Sequence, residues 1–598
     1  VTPFYQFMDI KRLVFLVAFG ALAGWASAGE APFPVFPLEE IRPGLRGVVK
    51  TVFQGSEVED VQVEIRGVLE GAIAPGRSLI IGRLIDEKTE VSGAVHGMSG
   101  SPLYINGKLA GALSRRLMLF EKDGHCGFTP VEDMVDVARR GEPEHPSAGS
   151  WNPHPFQTGF QQMVAAGAAG IQRLSIPLSL TGGSQQWQLM HQQVREWFPG
   201  LLPVAGGARR SAQSSVRSEL PLPEAGSALS VVLMDGTMTL AATGTTTWVD
   251  GDQVVGFGHP MFGLGPTDFP IAPAEIVSVV PSYLMPHKLS NAGSMAGTLT
   301  QDRLSAVSGQ LGPLPSLASY RVERAHQHQD RQTWEGRLIK HPLLVPQLVT
   351  ILMINAMMDE QDSSRLFTLN VRSTIIFDGL PTYQRESIYS GGWMDRLTAV
   401  MNETAPLSRL YGRFREELEL LEVRIEVDSF EQGQVWEILS LTVPQTTVSV
   451  SESLPVRIHL QNDKGEEQIQ MIDWTPPEEL SGKSVQLEAV SGRDRNREDL
   501  FSRKPTRTLN PADSIALLNQ SYGNDRIYLR AVLPATGFQA GRSLQSGLPY
   551  GVNQVTGDFE GATSRQFMEP VTGGETSIRV EGTVAGRDAV RLTLEPAR

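Results

Sequence analysis

The chain has 598 residues, a formal net charge of -14, 41% hydrophobic and 20% charged residues. That length exceeds what one hydrophobic core supports and implies several domains, the ordinary composition argues against extended disorder, and the acidity argues against nucleic acid as a partner. The single cysteine, Cys126, excludes an internal disulfide and a cysteine-rich zinc site.

At the N-terminus, Lys11-Arg12 precede an apolar run from Leu13 to Trp25 and the small residues Ala26-Ser27-Ala28. This is the pattern of an export signal over residues 1–28, and it predicts a mature chain in the periplasm or outside the cell. The apolar run is short for a bilayer span, so no integral membrane span is expected once the signal is removed. Residues 33–140 then read as short strands at 47–52, 61–68, 78–81, 103–105 and 109–113, with Asn106-Gly107 as a hairpin turn. Together they predict one antiparallel barrel, closed by a short helix at 131–140.

Residues 141–219 read as linker and helical insert. The stretch 141–155 is rich in Pro, Gly and Ser, 185–198 is helical and stopped by Pro199-Gly200, and 206–217 is a small, polar connector. The strand pattern returns over 220–315, at 228–233, 237–242, 245–249 and 253–257, and predicts a second barrel. Residues 316–433 read as an α+β region with an apolar stretch at 343–358, a strand at 366–376 and a helical pattern at 407–421 whose acidic face is solvated. Residues 434–598 alternate apolar and polar side chains at 455–460, 484–490, 525–532, 576–580 and 589–594. They predict a β-sandwich with a β-rich tail and a turn at Asn524-Asp525.

Chemistry concentrates in His96-Gly97-Met98-Ser99-Gly100-Ser101-Pro102. Closely spaced glycines let the chain bend tightly around Ser99, and in that bend the amides of Gly97 and Ser99 can face a forming oxyanion. The plain alternative is a Gly/Ser turn between strands. Serine is a weak nucleophile and needs a neutral imidazole within hydrogen-bond reach, usually with a carboxylate to orient that ring. Most of the 11 histidines fail on context. His125, His145 and His154 lie in turns or the linker, and His326 and His328 lack a third histidine to complete a metal site, so no metal or cofactor is expected. His96 is too close to Ser99 along an extended strand. His259 follows Gly256-Phe257-Gly258 and precedes Pro260, a strand end from which a side chain can project between two barrels. Cys126, beside His125, reads as a packing residue.

The run Val91-Ser-Gly-Ala-Val-His-Gly-Met-Ser-Gly-Ser-Pro-Leu-Tyr-Ile-Asn-Gly-Lys-Leu-Ala-Gly-Ala-Leu113 resembles the nucleophile segment of the SpoIVB-type serine peptidases, a bacterial family with a trypsin-like double β-barrel. Ala242-Thr-Gly-Thr-Thr-Thr-Trp-Val-Asp-Gly-Asp-Gln-Val-Val-Gly-Phe-Gly-His-Pro260 is similar to that family's histidine segment. The resemblance implies Ser99 as nucleophile and His259 as general base and later general acid. It also implies an orienting aspartate before the serine, for which Asp86 in Arg83-Leu84-Ile85-Asp86-Glu87 is the nearest match. Asp250, Asp252, Asp268 and Asp302 are further candidates, and a Ser-His dyad is workable.

Three departures accompany the likeness. The serine half precedes the histidine half, the reverse of the family order; no peptide-binding PDZ domain is evident; and Met98 stands where trypsin-like enzymes carry an aspartate. The expected fold is mainly β: a trypsin-like double β-barrel with the serine half first, then an α+β region and a C-terminal β-sandwich. The expected activity is that of an exported serine endopeptidase acting on protein or peptide substrates, envelope proteins or itself. The alternative is a catalytically inactive double-barrel scaffold that binds peptides or envelope partners.

Overall fold

The computed structural model describes residues 33–597 apart from 91, 118–122, 141–170, 184–190, 206–219, 283, 327–329, 359–366, 431–434, 503–509, 541–542 and 547–561. The expected signal at 1–28, the linker at 141–155, the start of the helix at 185–198, the connector at 206–217, and His145, His154 and His328 lie outside the described residues.

The first barrel comprises β1 (Arg46–Thr51), β2 (Glu59–Ala74), β3 (Arg77–Leu84), β4 (Pro102–Ile105), β5 (Lys108–Arg116) and β6 (His125–Pro130). It runs β4-β1-β2-β3-β6-β5 and closes through pairing of β5 with β4. Strand alternation turns Val49, Val61, Val63, Ile80, Leu103 and Leu113 inward to one core. Asn106 and Gly107 both adopt positive φ, 52° and 75°, the requirement of the tight hairpin between β4 and β5. Helix α1 (Val131–Ala138) follows directly, with Val131, Met134, Val135 and Val137 buried.

Two short strands cross to the second barrel. β7 (Gln172–Arg173) is added to β5, and β8 (Ile176–Thr181) to the second sheet; α2 (His191–Trp197) and β9 (Leu201–Ala205) follow. The second barrel comprises β10 (Ala228–Gly236), β11 (Thr239–Asp250), β12 (Gln253–Gly256), β13 (Gly265–Val280), β14 (His287–Ala292), β15 (Gly297–Arg303) and β16 (Ala306–Leu311). Its order is β10-β13-β15-β16-β12-β11, closed by β11 on β10, with β14 beside β13. Where the sequence pattern gives two strands, at 237–242 and 245–249, β11 is continuous. Gly244 is not a break: a Cβ there would stand 2.6 Å from the Phe257 ring, so the glycine serves close packing within a strand.

The α+β region extends the second barrel's sheet. β17 (Ala318–His326), β18 (Gln332–Leu338), β19 (Phe367–Phe377), β20 (Tyr383–Gly391) and β21 (Leu420–Phe430) continue outward from β10 as β18-β17-β21-β19-β20. Helices α3 (Val345–Met357) and α4 (Trp393–Phe414) share the barrel's hydrophobic core, and every residue of α3 except Gln347 is buried. The helical pattern at 407–421 covers only the end of α4. Leu418 and Leu420 are buried at a spacing of two, which is strand periodicity, while Glu416, Glu417 and Glu419 are exposed beyond the helix.

The C-terminal sandwich stacks Val435–Thr442, Leu454–Asn462, Glu467–Trp474 and Thr583–Ala585 against a second sheet that includes Ser484–Ser491, Arg526–Ala540, Ala562–Arg579 and Arg587–Glu595. Its own core contains Trp436, Ile458, Trp474, Leu487, Leu529 and Leu592. Among the described residues no helix is long and apolar enough to cross a membrane.

Because Leu352 is fully buried between α3 and the extended sheet, Leu352→Ala is expected to destabilise the chain by about 2–5 kcal/mol, read from chemical denaturation.

Candidate active site

Ser99 sits on a turn between β3 and β4 where Gly97 and Gly100 have φ of 98° and 97°. Met98 anchors the turn in the first barrel's core. The Gly100 amide donates to the Leu113 carbonyl at 2.8 Å, and the Leu113 amide returns a bond to Ser101 at 2.9 Å. The opposite side is held by β11 of the second barrel. The Thr245 amide donates to the Ser99 carbonyl at 2.7 Å, Thr245 Oγ1 to the Gly97 carbonyl at 3.0 Å, and Thr247 Oγ1 to the Gly100 carbonyl at 2.8 Å. A Cβ on Gly100 would stand 2.0 Å from the Thr245 carbonyl oxygen and 2.4 Å from the Phe257 amide nitrogen. Only glycine fits both that approach and that φ.

His259 follows β12 after Phe257 and Gly258, at φ of 69° and 65°. For a bulky residue such as Phe257 this region costs on the order of 1–3 kcal/mol, maintained by surrounding contacts. Those contacts include the Thr129 hydroxyl, which donates to the Gly258 carbonyl at 2.6 Å. The result is a direct bond across the two barrels: His259 Nε2 lies 2.8 Å from Ser99 Oγ. Nδ1 lies 2.8 Å from the carbonyl of Pro260. A carbonyl only accepts, so Nδ1 carries the proton and Nε2 presents its lone pair to the serine hydroxyl. This is the tautomer a general base requires.

The partner of Nδ1 is therefore a backbone carbonyl. Asp86, the nearest sequence match for the carboxylate, does not reach the ring. It caps the short 3-10 turn Glu87–Thr89 and accepts from the Lys88 amide at 3.1 Å. Its place is explained by local chemistry, since an Asx side chain at the start of a turn satisfies a free amide. Asp250, Asp252 and Asp268 are exposed. Asp302 is buried beside the site in another capacity. Its carboxylate accepts the amides of Met261, Phe262 and Gly263, each at 2.8 Å, and fixes the loop that follows His259.

The surroundings are cationic. Burial, then the charges of Arg173 and Arg115, push the His259 imidazole well below its ordinary value of 6.5, against the opposing pull of the Pro260 and Leu174 backbones. The ring is thus neutral at physiological pH. Arg173 Nη1 donates to the Pro260 carbonyl at 3.2 Å. Arg115 is pushed down to about 10 by burial and by Arg173, and its Nη1 finds no acceptor. His96 accepts the Ser175 amide on Nδ1 at 2.9 Å, and burial with Arg116 pushes it down to about 3. Among the described residues, the amides of Gly97 and Ser99 have no acceptor. Ser99 and His259 are both 0% exposed.

Lys288, on β14, has no counterpart in the sequence expectations. Its side-chain carbons stand 3.2 Å from where a Gly97 Cβ would be, its Nζ donates to Thr51 Oγ1 at 2.8 Å, and burial pushes it down to about 7. The β11 threonines and Arg173 were equally silent as chemistry in the sequence. The threonine run at 245–247 was the one available signal, because consecutive β-branched hydroxyl residues suit a strand that must also hydrogen-bond sideways. Among the described residues no group of three or more His, Cys, Asp or Glu is placed to hold a metal ion. Cys126 is fully buried in the first barrel's core.

Residues 18–135 match the SpoIVB peptidase S55 family, the family that the nucleophile segment resembles. The match takes in Gly97 and Ser99 and ends before His259. No curated protein and no solved structure matches the chain.

Two outcomes follow from this geometry. Gly100→Ala is expected to lose about 3 kcal/mol or more of stability, read from thermal unfolding, because it meets both a steric and a backbone penalty. Lys288 binds its proton in the unfolded chain below its ordinary 10.5 but in the folded chain only below about 7. Stability from this group therefore rises with pH across that window. Lys288→Met is expected to flatten the slope of unfolding free energy between pH 7 and pH 10, measured by denaturation at a series of pH values.

Proposed function

We propose that this chain is an exported serine peptidase that hydrolyses protein or peptide substrates by a Ser99-His259 dyad. The observation that carries the reading is the 2.8 Å bond from Ser99 Oγ to His259 Nε2, formed inside a segment pair of which the serine half matches a serine peptidase family. In this mechanism Ser99 Oγ attacks the substrate carbonyl carbon while its proton passes to His259 Nε2. The amides of Gly97 and Ser99 receive the oxyanion, and one such donor is typically worth roughly 3 kcal/mol of barrier. The imidazolium then gives its proton to the departing amine. Water, deprotonated by the same nitrogen, hydrolyses the acyl-serine and restores the hydroxyl.

The Pro260 carbonyl takes the orienting place usually held by a carboxylate. It fixes the tautomer but supplies less charge to offset the imidazolium, and Arg115 and Arg173 oppose that charge further. A slow enzyme is the consequence. The N-terminal apolar run with its small-residue end supports export to the cell envelope or beyond. The second reading, a catalytically silent peptide-binding scaffold, draws on the absence of a carboxylate at His259 Nδ1 among the described residues.

A fluorophosphonate probe tests the two. Mass spectrometry of the labelled protein is expected to find the adduct on Ser99, with labelling abolished in Ser99→Ala and reduced at least about a hundredfold in His259→Ala. A folded protein that takes no label under any condition would favour the scaffold.

A further inference from the structure

The edge of β5 beside the dyad is filled by the chain itself. β7 pairs antiparallel with β5 in the register Arg115↔Arg173 and Arg116↔Gln172. The next residue continues the arrangement, its amide donating to the Ser114 carbonyl at 3.0 Å. Leu174 is 0% exposed and its side chain joins the first barrel's core. Its backbone acts on the His259 ring. Arg173 reaches the Pro260 carbonyl, and the Ser175 amide donates to His96. Residues 172–175 thus lie beside His259 as an added strand, the way exposed sheet edges bind extended peptides.

The strand is bound but not poised for attack. The Gly97 and Ser99 amides, which would hold the carbonyl oxygen of a reacting bond, have no acceptor among the described residues, and the Leu174 backbone faces the imidazole instead. The chain then runs on into β8, which pairs with β11 of the second barrel from Thr181 to Leu178. The downstream end of the strand is therefore built into the second barrel.

We propose that residues 172–175 are an internal occupant of the β5 edge from Ser114 to Arg116, and that they keep the site closed to an extended peptide with a leucine-like side chain before the bond to be cut. This rests on the peptidase reading above. Access requires the strand to lift from β5, so the apparent activity is the intrinsic activity multiplied by the fraction of molecules in which it has lifted.

The test uses the full chain with two substitutions that weaken the occupant differently. Gln172→Pro removes an amide from the half-buried edge strand, and Leu174→Ala removes its apolar anchor. Rates are read with the fluorophosphonate probe and with two fluorogenic peptides that differ only in Leu or Asp before the reporter amide; circular dichroism and thermal unfolding establish that each variant is folded. Either folded variant is expected to raise both labelling and Leu-peptide turnover by at least about tenfold, with Leu preferred over Asp and all turnover lost when Ser99→Ala is added. Labelling of the parent as fast as of both folded variants would overturn the proposal and leave the peptidase reading intact. Cleavage of the parent between Leu174 and Ser175, seen by mass spectrometry, would also overturn it, since the occupant would then be a substrate. Absence of Ser99 labelling in the parent and in every variant would overturn both readings.

Discussion

The seam between the nucleophile turn and β11 is the constraint on which the remaining geometry rests. At Gly100 two backbones approach so closely that no side chain fits between them, and three threonine donors hold the turn from the side of the second barrel. Each barrel has its own hydrophobic core, and the candidate site lies between them. The turn carries Ser99 and two amides; the other barrel carries His259 and the strand that sets the turn's angle. The strained Phe257-Gly258 pair is the cost of aiming the imidazole through that seam, and it is tolerated because the surrounding hydrogen bonds leave the chain no relaxed alternative.

Electrostatics at the seam run opposite to those of a carboxylate-based triad. Two arginines stand near the imidazole, and the one buried aspartate nearby spends its oxygens on loop amides. The neutral form of the His259 ring is therefore secure, while its protonated form is disfavoured. A binding partner or substrate that brings negative charge to Arg115 would shift that balance, since Arg115 Nη1 is buried without an acceptor among the described residues.

Part of this geometry is legible in the chain itself. Glycines and a proline mark the two sharp turns that bring Ser99 and His259 within hydrogen-bond distance, and the order of the two barrels is visible directly. The barrel strands followed from period-two alternation and from Asn106-Gly107. For Asp86 the sequence carries no information about which way the carboxylate faces; in the structure a local amide claims it. The role of Pro260 was not readable, since an orienting carbonyl belongs to the backbone and leaves no side-chain signature. Lys288 was hidden for a related reason: a lysine in sequence reads as a surface residue, and only the packing of β14 over Gly97 buries it. The continuous β11 and the sheet shared with the α+β region likewise depend on long-range pairing that local patterns do not encode.

The sequence distance across the seam has a consequence in time. Ser99 and His259 are 160 positions apart, and closing a loop of that length costs conformational entropy that the first barrel, whose six strands lie within residues 46–130, does not incur. Contacts near in sequence form ahead of distant ones. The first barrel is therefore expected to gather before the seam closes, which makes the meeting of Ser99 and His259 a late event of folding.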